Sequence, residues 1–289
     1  MKRVSSVVGT LMAVALCGNP AIAQTFPSKA VRLVVAFAPG GATDTFARVT
    51  AAEMSKSLGQ QVIVENRPGA GTTLAAEFVA RSAPDGYTLL FTDLSTHAIN
   101  PAIYAKLAYQ PARDFAAVAP VSSSPLIMVA HPSLNVKSAR ELIALAKKHP
   151  GITCGNAGMG TVTHMAAEKF RVRAGIDIAP VNYKGGTTST ISLLTGEIAL
   201  IVTTIPAAIE YVRAGRLVAI GLTSDRRAAA LPDVAALGET VKGVDAAVIA
   251  AAQPENPPPT IAIFGFAIKD LIEFISQETC YFLTTKEYF

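Results

Sequence analysis

The sequence of 289 residues lacks tryptophan and contains only three cysteines and four histidines. The cysteines form no CxxC pair and the histidines have no spacing typical of metal ligands, which argues against a zinc site. There is no Gly-x-Ser-x-Gly sequence, so a serine nucleophile of the α/β-hydrolase type is not indicated. The sequence therefore favours a protein that is not an enzyme, and it predicts no metal and no cofactor.

Long apolar runs and basic runs are also scarce. Beyond the first residues, no stretch approaches the roughly 20 apolar residues of a membrane span. The formal net charge is +4, without a lysine- or arginine-rich run of the kind that follows phosphates, so nucleic acid is not a predicted partner. The glycine-rich turns match neither the phosphate loop of nucleotide hydrolases nor the GxGxxG spacing of dinucleotide folds.

The amino terminus has the pattern of an export signal. Lys2 and Arg3 give a positive start, an apolar run covers residues 4–16, and Ala21-Ile22-Ala23 provides a small-residue cleavage site. Cleavage after Ala23 removes both of these cations. The predicted location of the mature chain is a bacterial periplasm.

Apolar runs of strand length alternate with helix-like segments along most of the chain. This alternation predicts βαβ units and mainly parallel sheets. The pattern changes near residues 115–126 and again near 222–230, so the chain is expected to cross twice between two α/β lobes around a cleft. No internal repeat of fixed period is visible. The predicted division is a signal segment 1–23, a first lobe 24–121, a second lobe 122–224 and a return to the first lobe over 225–289.

Several elements have clear predicted boundaries. An apolar run over residues 31–37 predicts a strand, and a helix with one apolar face follows over 42–58. Ser138 and Glu141 form a capping box that opens a further helix. The other predicted strands are residues 62–65, 88–92, 118–121, 126–130, 198–202 and 217–222.

Three loops rich in small and hydroxyl residues lie at positions where a ligand is expected: residues 39–44, 95–100 and 155–164. Each would place backbone N–H groups and hydroxyls at the carboxyl end of a strand, where open α/β sheets bind ligands. A helix start also favours an anion, and a small carboxylate fits there better than a nucleotide. Each loop alone also has a structural alternative, because such residues are ordinary in turns and caps.

Four side chains of these regions join the candidate site, each with two interpretations. Asp44 either touches the ligand or complements its helix start. His97 and His164 either contact the ligand or form structural hydrogen bonds. Tyr183 either lines the cleft or lies in a solvated turn.

Several long motifs, in order, resemble the Bug-type solute-binding receptors of tripartite tricarboxylate transporters. The matching segments are residues 26–44, 58–71, 83–89, 95–101, 183–186, 214–217 and 230–234. The resemblance implies a type II-like periplasmic binding protein with two α/β lobes, each a mainly parallel sheet flanked by helices. It also implies a monomer that captures a small carboxylate and presents it to the membrane permease subunits of the transporter.

The resemblance also implies which residues hold the ligand. Backbone and hydroxyl groups of two loops would bind the proximal carboxylate, namely those of Gly40, Gly41, Ala42, Gly158, Gly160 and Thr161. Ser95, Thr96 and His97 would face the distal part of the ligand.

The chain departs from the family pattern at two places. Thr203 and Thr204 stand where the family often has an Asp-Asn pair, so Thr203 is predicted to line the cleft and the ligand preference to differ. From about residue 235 the tail stops resembling the family and reads like a replaced reading frame. The alternative hypotheses are a periplasmic enzyme acting on a carboxylate and a non-functional relic with an altered carboxyl terminus.

Overall fold

The computed structural model describes residues 26–122 and 124–244, together with the backbone of residues 280–284. The predicted signal segment and most of the atypical tail lie outside the described residues. Within them, strands and helices alternate as predicted. The strands are β1 Val31–Val35, β2 Val62–Asn66, β3 Thr88–Thr92, β4 Ala116–Ser122, β5 Leu126–Ala130, β6 Ile152–Asn156, β7 Ile178–Asn182, β8 Leu200–Thr204, β9 Val218–Leu222 and β10 Cys280–Thr284. The α-helices are α1 Ala42–Leu58, α2 Thr73–Ala80, α3 Asn100–Ile103, α4 Pro111–Asp114, α5 Ala139–Lys148, α6 Val162–Ala174, α7 Gly186–Leu194 and α8 Ile205–Arg213.

These strands form two five-stranded sheets with the same plan. The first has the order β2-β1-β3-β10-β4 and the second the order β7-β6-β8-β5-β9. In each sheet three neighbouring strands are parallel and the fourth is antiparallel to both of its neighbours. The predicted fold class, two α/β lobes with mainly parallel sheets, is confirmed.

Each sheet is the centre of its own core. In the first lobe, Leu33 and Phe91 on adjacent parallel strands are fully buried, since helices cover both faces of the sheet. In the second lobe, Leu142 and Phe170 pack on one face, and Leu193 packs on the other. None of the described helices has the length and hydropathy that crossing a membrane requires.

The predicted helix over residues 42–58 and the predicted strands 88–92 and 126–130 have the observed bounds. Two strands of the second sheet, β6 and β7, are absent from the sequence prediction. Gly155 lies within β6 and interrupts the apolar pattern that would have predicted this strand. A Cβ at this position would lie 2.5 Å from the side chain of Ile198. Pro180 likewise breaks the strand pattern in the sequence of β7. The strand accommodates this proline because it lies at the edge of the sheet.

The second lobe extends beyond residue 224, where the sequence analysis placed its end. Ala228 and Leu231 pack on one side of the second sheet, and Leu237 and Val241 pack on the other. The described return to the first sheet is made by β10, which lies between β3 and β4.

Candidate ligand site between the two lobes

The two lobes meet along a seam where backbone lies against backbone. A Cβ on Gly71 of the first lobe would overlap the carbonyl oxygen of Met159 of the second. A Cβ on Gly185 of the second lobe would lie 2.9 Å from the Cβ of Ala38 of the first. Glycine permits these approaches because it has no side chain. We call this line of contacts the lobe seam.

The predicted loop 39–44 lies at the lobe seam. Thr187, in the first turn of α7, donates a hydrogen bond from its hydroxyl to the carbonyl oxygen of Pro39, at 3.4 Å. Gly40 has a φ of 78° and lies beside the same threonine, as does Gly41. Ala42 begins α1. The loop therefore lies against the second lobe, as expected for a loop that takes part in a binding site between the lobes.

Asp44 directs both carboxylate oxygens back into the first lobe. Its Oδ2 accepts hydrogen bonds from the Gly40 N–H and from Arg48 Nε, each at 2.9 Å, and its Oδ1 accepts one from Asn66 Nδ2 at 2.8 Å. Burial raises the pKa of Asp44, but the hydrogen bonds from Arg48, Gly40 and Asn66 outweigh it and leave the pKa below its ordinary value. These contacts agree with the structural interpretation, in which Asp44 positions the loop.

Ser95 and Thr96 differ in which lobe supplies the hydrogen-bond partner of their hydroxyl groups. The Ser95 hydroxyl accepts a hydrogen bond from the Val162 N–H at the start of α6, 3.1 Å away in the opposite lobe. The Thr96 hydroxyl bonds within its own lobe, 2.9 Å from the hydroxyl of Thr72 and 2.6 Å from that of Thr92. Ser95 therefore joins the seam, whereas Thr96 supports the loop from behind.

The His97 ring packs 5.7 Å, centroid to centroid, from the ring of Phe115. Both ring nitrogens are buried, and neither has a hydrogen-bond partner among the described residues. Burial lowers the pKa of His97 to about 4, so the ring is neutral at pH 7.

The glycine loop of the second lobe is held by its own hydrogen bonds. The Gly158 N–H donates to Asn156 Oδ1 at 2.8 Å, and the Gly158 carbonyl accepts from the Thr161 hydroxyl at 2.7 Å. The Gly160 N–H donates to His164 Nδ1 at 3.2 Å. Burial lowers the pKa of His164. The loop is thus fixed in shape with Gly158 and Gly160 facing the first lobe.

Three hydrogen-bond donors at one edge of the second sheet have no partner among the described residues: Asn156 Nδ2, the Tyr183 hydroxyl and the Thr204 hydroxyl. Asn156 ends β6, Thr204 ends β8, and Tyr183 directly follows β7. Since β7, β6 and β8 are parallel neighbours, these carboxyl ends meet at the same edge. We call these groups the donor triad.

Tyr183 is predicted from the sequence, whereas Asn156 and Thr204 are not. Asn156 lies in the predicted loop 155–164, and Thr204 is the neighbour of the predicted Thr203. Thr203 itself is buried on β8, with its hydroxyl oxygen 3.7 Å from where a Cβ on Gly186 would lie. Strand alternation turns Thr203 and Thr204 to opposite faces of the sheet. Thr204 shares the face of Val202, and Thr203 shares the face of Ile201.

The donor triad suits an oxygen-rich anion. Two hydroxyls and one amide N–H group can donate to it without any cationic side chain. A buried donor without a partner costs about 1–3 kcal/mol, and a hydrogen bond to a charged acceptor is stronger than one to a neutral acceptor. A carboxylate would therefore satisfy groups that the described protein atoms leave unpaired.

Comparison with known proteins agrees with this geometry. The family model described as "Tripartite tricarboxylate transporter family receptor" matches residues 46–264, which extends beyond residue 234, where the motif resemblance ended. Protein BugT of Bordetella pertussis is 35% identical over 241 residues, covering 83% of this chain and 74% of BugT.

Solved structures are similar as well. MatC of Rhodopseudomonas palustris with bound malate has a TM-score of 0.74 and 29% identity, over 90% of this chain and 79% of MatC. A second R. palustris protein, solved with adipate, has a TM-score of 0.74 and 28% identity, over 90% of this chain and 78% of that protein. The resemblance seen in the sequence motifs is confirmed.

Proposed function

The chain belongs to the receptor family of the tripartite tricarboxylate transporters, and from this premise we propose that it captures a small carboxylate between its lobes. The captured solute would pass to the membrane permease of the transporter. We further propose that the mature protein acts in the periplasm, as a monomer, and releases its ligand chemically unchanged.

The donor triad is the observation that carries this proposal. Asn156, Tyr183 and Thr204 place at one edge of the second sheet three donors without a partner in the described part of the chain. The loop with Gly40 and Gly41 lies against the same lobe. A carboxylate has two oxygens with about four acceptor sites, so it offers several acceptors to the triad and to the backbone N–H groups of the opposite loop.

Closure follows from the connection between the lobes. β4 ends at Ser122 in the first sheet and β5 begins at Leu126 in the second. We propose that this short connection is one of the segments that form the hinge. The two lobes would close on the ligand by rotating about it. Relatives solved with malate and adipate support a small dicarboxylate or a similarly sized acid as the kind of ligand.

Thermal unfolding of the full purified chain against a panel of carboxylates tests the proposal. A receptor shows a cooperative transition whose midpoint rises with ligand concentration, and mass spectrometry recovers the bound acid unchanged. Chemical conversion of the acid would favour the enzyme hypothesis. A chain with no cooperative transition would favour the relic hypothesis.

Thr203 remains a predicted cleft residue and has its own test. Thr203→Val removes the hydroxyl but keeps the shape of the side chain. A loss of ligand affinity supports a place for this hydroxyl at the cleft, and an unchanged affinity removes Thr203 from the site.

A further inference from the structure

Asp93 is a carboxylate at the lobe seam that the sequence analysis did not select. It directly follows β3, at the carboxyl edge of the first sheet. Its Oδ1 accepts a hydrogen bond from the Ser95 N–H at 2.9 Å, and the hydroxyl of the same serine accepts one from Val162 of the opposite lobe. Asp93 is therefore two residues from a direct contact between the lobes.

Asp93 is exceptional among the acidic residues of the described ranges. Most of the others form an ion pair with a lysine or arginine. Those without one are exposed to solvent, namely Glu141, Asp177, Glu197 and Asp233. Asp93 has no such pair and is only partly exposed. Burial raises its pKa, and the hydrogen bonds of Ser95 oppose that rise without a contribution from any cation.

An acidic side chain without an ion pair, next to a contact between the lobes, needs an explanation. Two anions in a site of low dielectric repel each other, and a partly buried charge without a partner is costly. A ligand with a cationic group removes both costs, because its ammonium pairs with Asp93 while its carboxylate meets the donor triad. If Asp93 were protonated instead, it would donate a hydrogen bond to the ligand, and a cation would bring no advantage.

We propose that Asp93 is a specificity-determining residue that selects ligands with an ammonium group beside the carboxylate. The substrate class of this receptor is then amino acids and related amino carboxylates. This inference rests on the proposed function, since it requires that a carboxylate bind in the cleft.

Isothermal titration of the full chain with matched acids tests the inference. The pairs are succinate with aspartate, glutarate with glutamate, and propionate with β-alanine, so that each pair differs by one amino group. The proteins are the wild type, Asp93→Asn, and Asp177→Asn as a control for loss of an exposed, unpaired carboxylate. We expect the wild type and the control to bind at least one amino acid about tenfold or more tightly than its partner acid. In Asp93→Asn, which keeps the shape of the side chain, this preference should disappear.

Three results would overturn the inference, and they are distinguishable. A wild type that binds the plain acids as tightly as the amino acids shows that Asp93 selects no ammonium, while the proposed function stands. A preference that survives in Asp93→Asn assigns the selection to another residue. Absence of binding by any carboxylate in the wider panel contradicts the proposed function itself.

Discussion

Each lobe contributes one wall of the cleft, formed by the loops at the carboxyl ends of its parallel strands. The two sheets have the same strand arrangement, but the polar groups of the two walls differ in their hydrogen-bond partners. In the first lobe the hydroxyls behind the seam bond to one another: Thr96 lies between Thr72 and Thr92. Tyr109 donates from its hydroxyl to the carbonyl oxygen of Thr96 at 2.9 Å. Asp44 is occupied within the lobe as well. This wall holds its shape through its own hydrogen bonds.

In the second lobe, Asn156, Tyr183 and Thr204 keep donors without described partners. Buried polar atoms without a described partner occur in the first lobe too, on His97, Asn100 and Ser122. The comparison teaches that the hydroxyls behind the first wall bond to one another, whereas the donors at the sheet edge of the second wall do not. Substitutions in the first wall should therefore act mainly on folding, whereas those in the second should act mainly on binding.

The largest effect is expected where both walls touch. Gly71→Ala places a methyl group on the carbonyl oxygen of Met159 and near the hydroxyl of Tyr104, so the lobes cannot approach fully. We expect ligand affinity to fall about 100-fold, or roughly 2.7 kcal/mol. Isothermal titration measures the affinity, and X-ray scattering reports whether the ligand still compacts the protein.

Gly59→Ala is the matched control for Gly71→Ala. Gly59 also has a positive φ, 64° against 58° for Gly71, but nothing lies within 4 Å of the added Cβ. Both variants carry the backbone strain of about 1–2 kcal/mol, and only one should lose ligand. Equal ligand affinities in the two variants would contradict the close contact between Gly71 and Met159 in the ligand-bound protein.

His97 is one of the first-lobe residues whose buried polar atoms have no hydrogen-bond partner among the described residues. Its pKa is lowered to about 4 in the folded chain from an ordinary 6.5, so the unfolded chain binds more protons between these values. The contribution of His97 to the free energy of unfolding should therefore be complete above pH 6.5 and be lost, by on the order of 3 kcal/mol, as the pH drops to about 4. Urea unfolding across this range checks the effect.

His97→Gln has no titrating ring and should lose most of that slope. His149→Gln, at an exposed position, serves as the control and should keep the wild-type pH dependence. The same pH dependence in the His97 variant and in the wild type would show that this histidine is not buried in its neutral form.

Two tyrosines test the contrast between the walls directly. Tyr183→Phe removes an unpaired hydroxyl, so ligand affinity should fall about tenfold while the unliganded protein keeps its stability. Tyr109→Phe removes a hydroxyl that bonds to Thr96 and Asn100, so stability should fall by about 1 kcal/mol. Affinity should be nearly unchanged in the second case. The reverse pattern would mean that the first wall binds the ligand.

The smallest effect is expected at Ser95. Ser95→Ala removes one hydrogen bond between the lobes, but Thr161 still caps α6. We expect a loss of affinity of about threefold, measured by titration. Ser82→Ala, which removes a hydroxyl bonded within the first lobe, should leave affinity unchanged.

Much of the fold follows from local pattern in the sequence. The helix predicted over residues 42–58 ends as expected at Gly59. At the start of α5 the Ser138 hydroxyl accepts a hydrogen bond from the Glu141 N–H, but the Glu141 carboxylate accepts from the Lys137 N–H, so only half of the predicted capping box forms. The two strands that the sequence pattern does not predict, β6 and β7, depend on their tertiary context. Pro180 is permitted only because β7 lies at an edge, and Gly155 fits its strand only because other side chains fill the space beside it.

The candidate site was predictable at the level of loops but not of individual groups. All three predicted loops lie at strand ends, and all three contact the opposite lobe, through Gly40, Ser95 and Gly160. Sequence cannot show that Asp44 is fully paired while Asp93 is not, because pairing depends on which neighbours the fold supplies. Thr204 has the same difficulty, since its side-chain direction depends on the register of β8.

The position of β10 has a consequence for biogenesis. The second sheet draws all its strands from residues 126–222, whereas the first needs residues 280–284 between β3 and β4. During synthesis and export, the nascent chain can therefore complete the second core while β3 and β4 still have open edges. Open edges invite pairing with other chains, and late, long-range strand insertion is slow. We therefore expect the first sheet to be completed after the second.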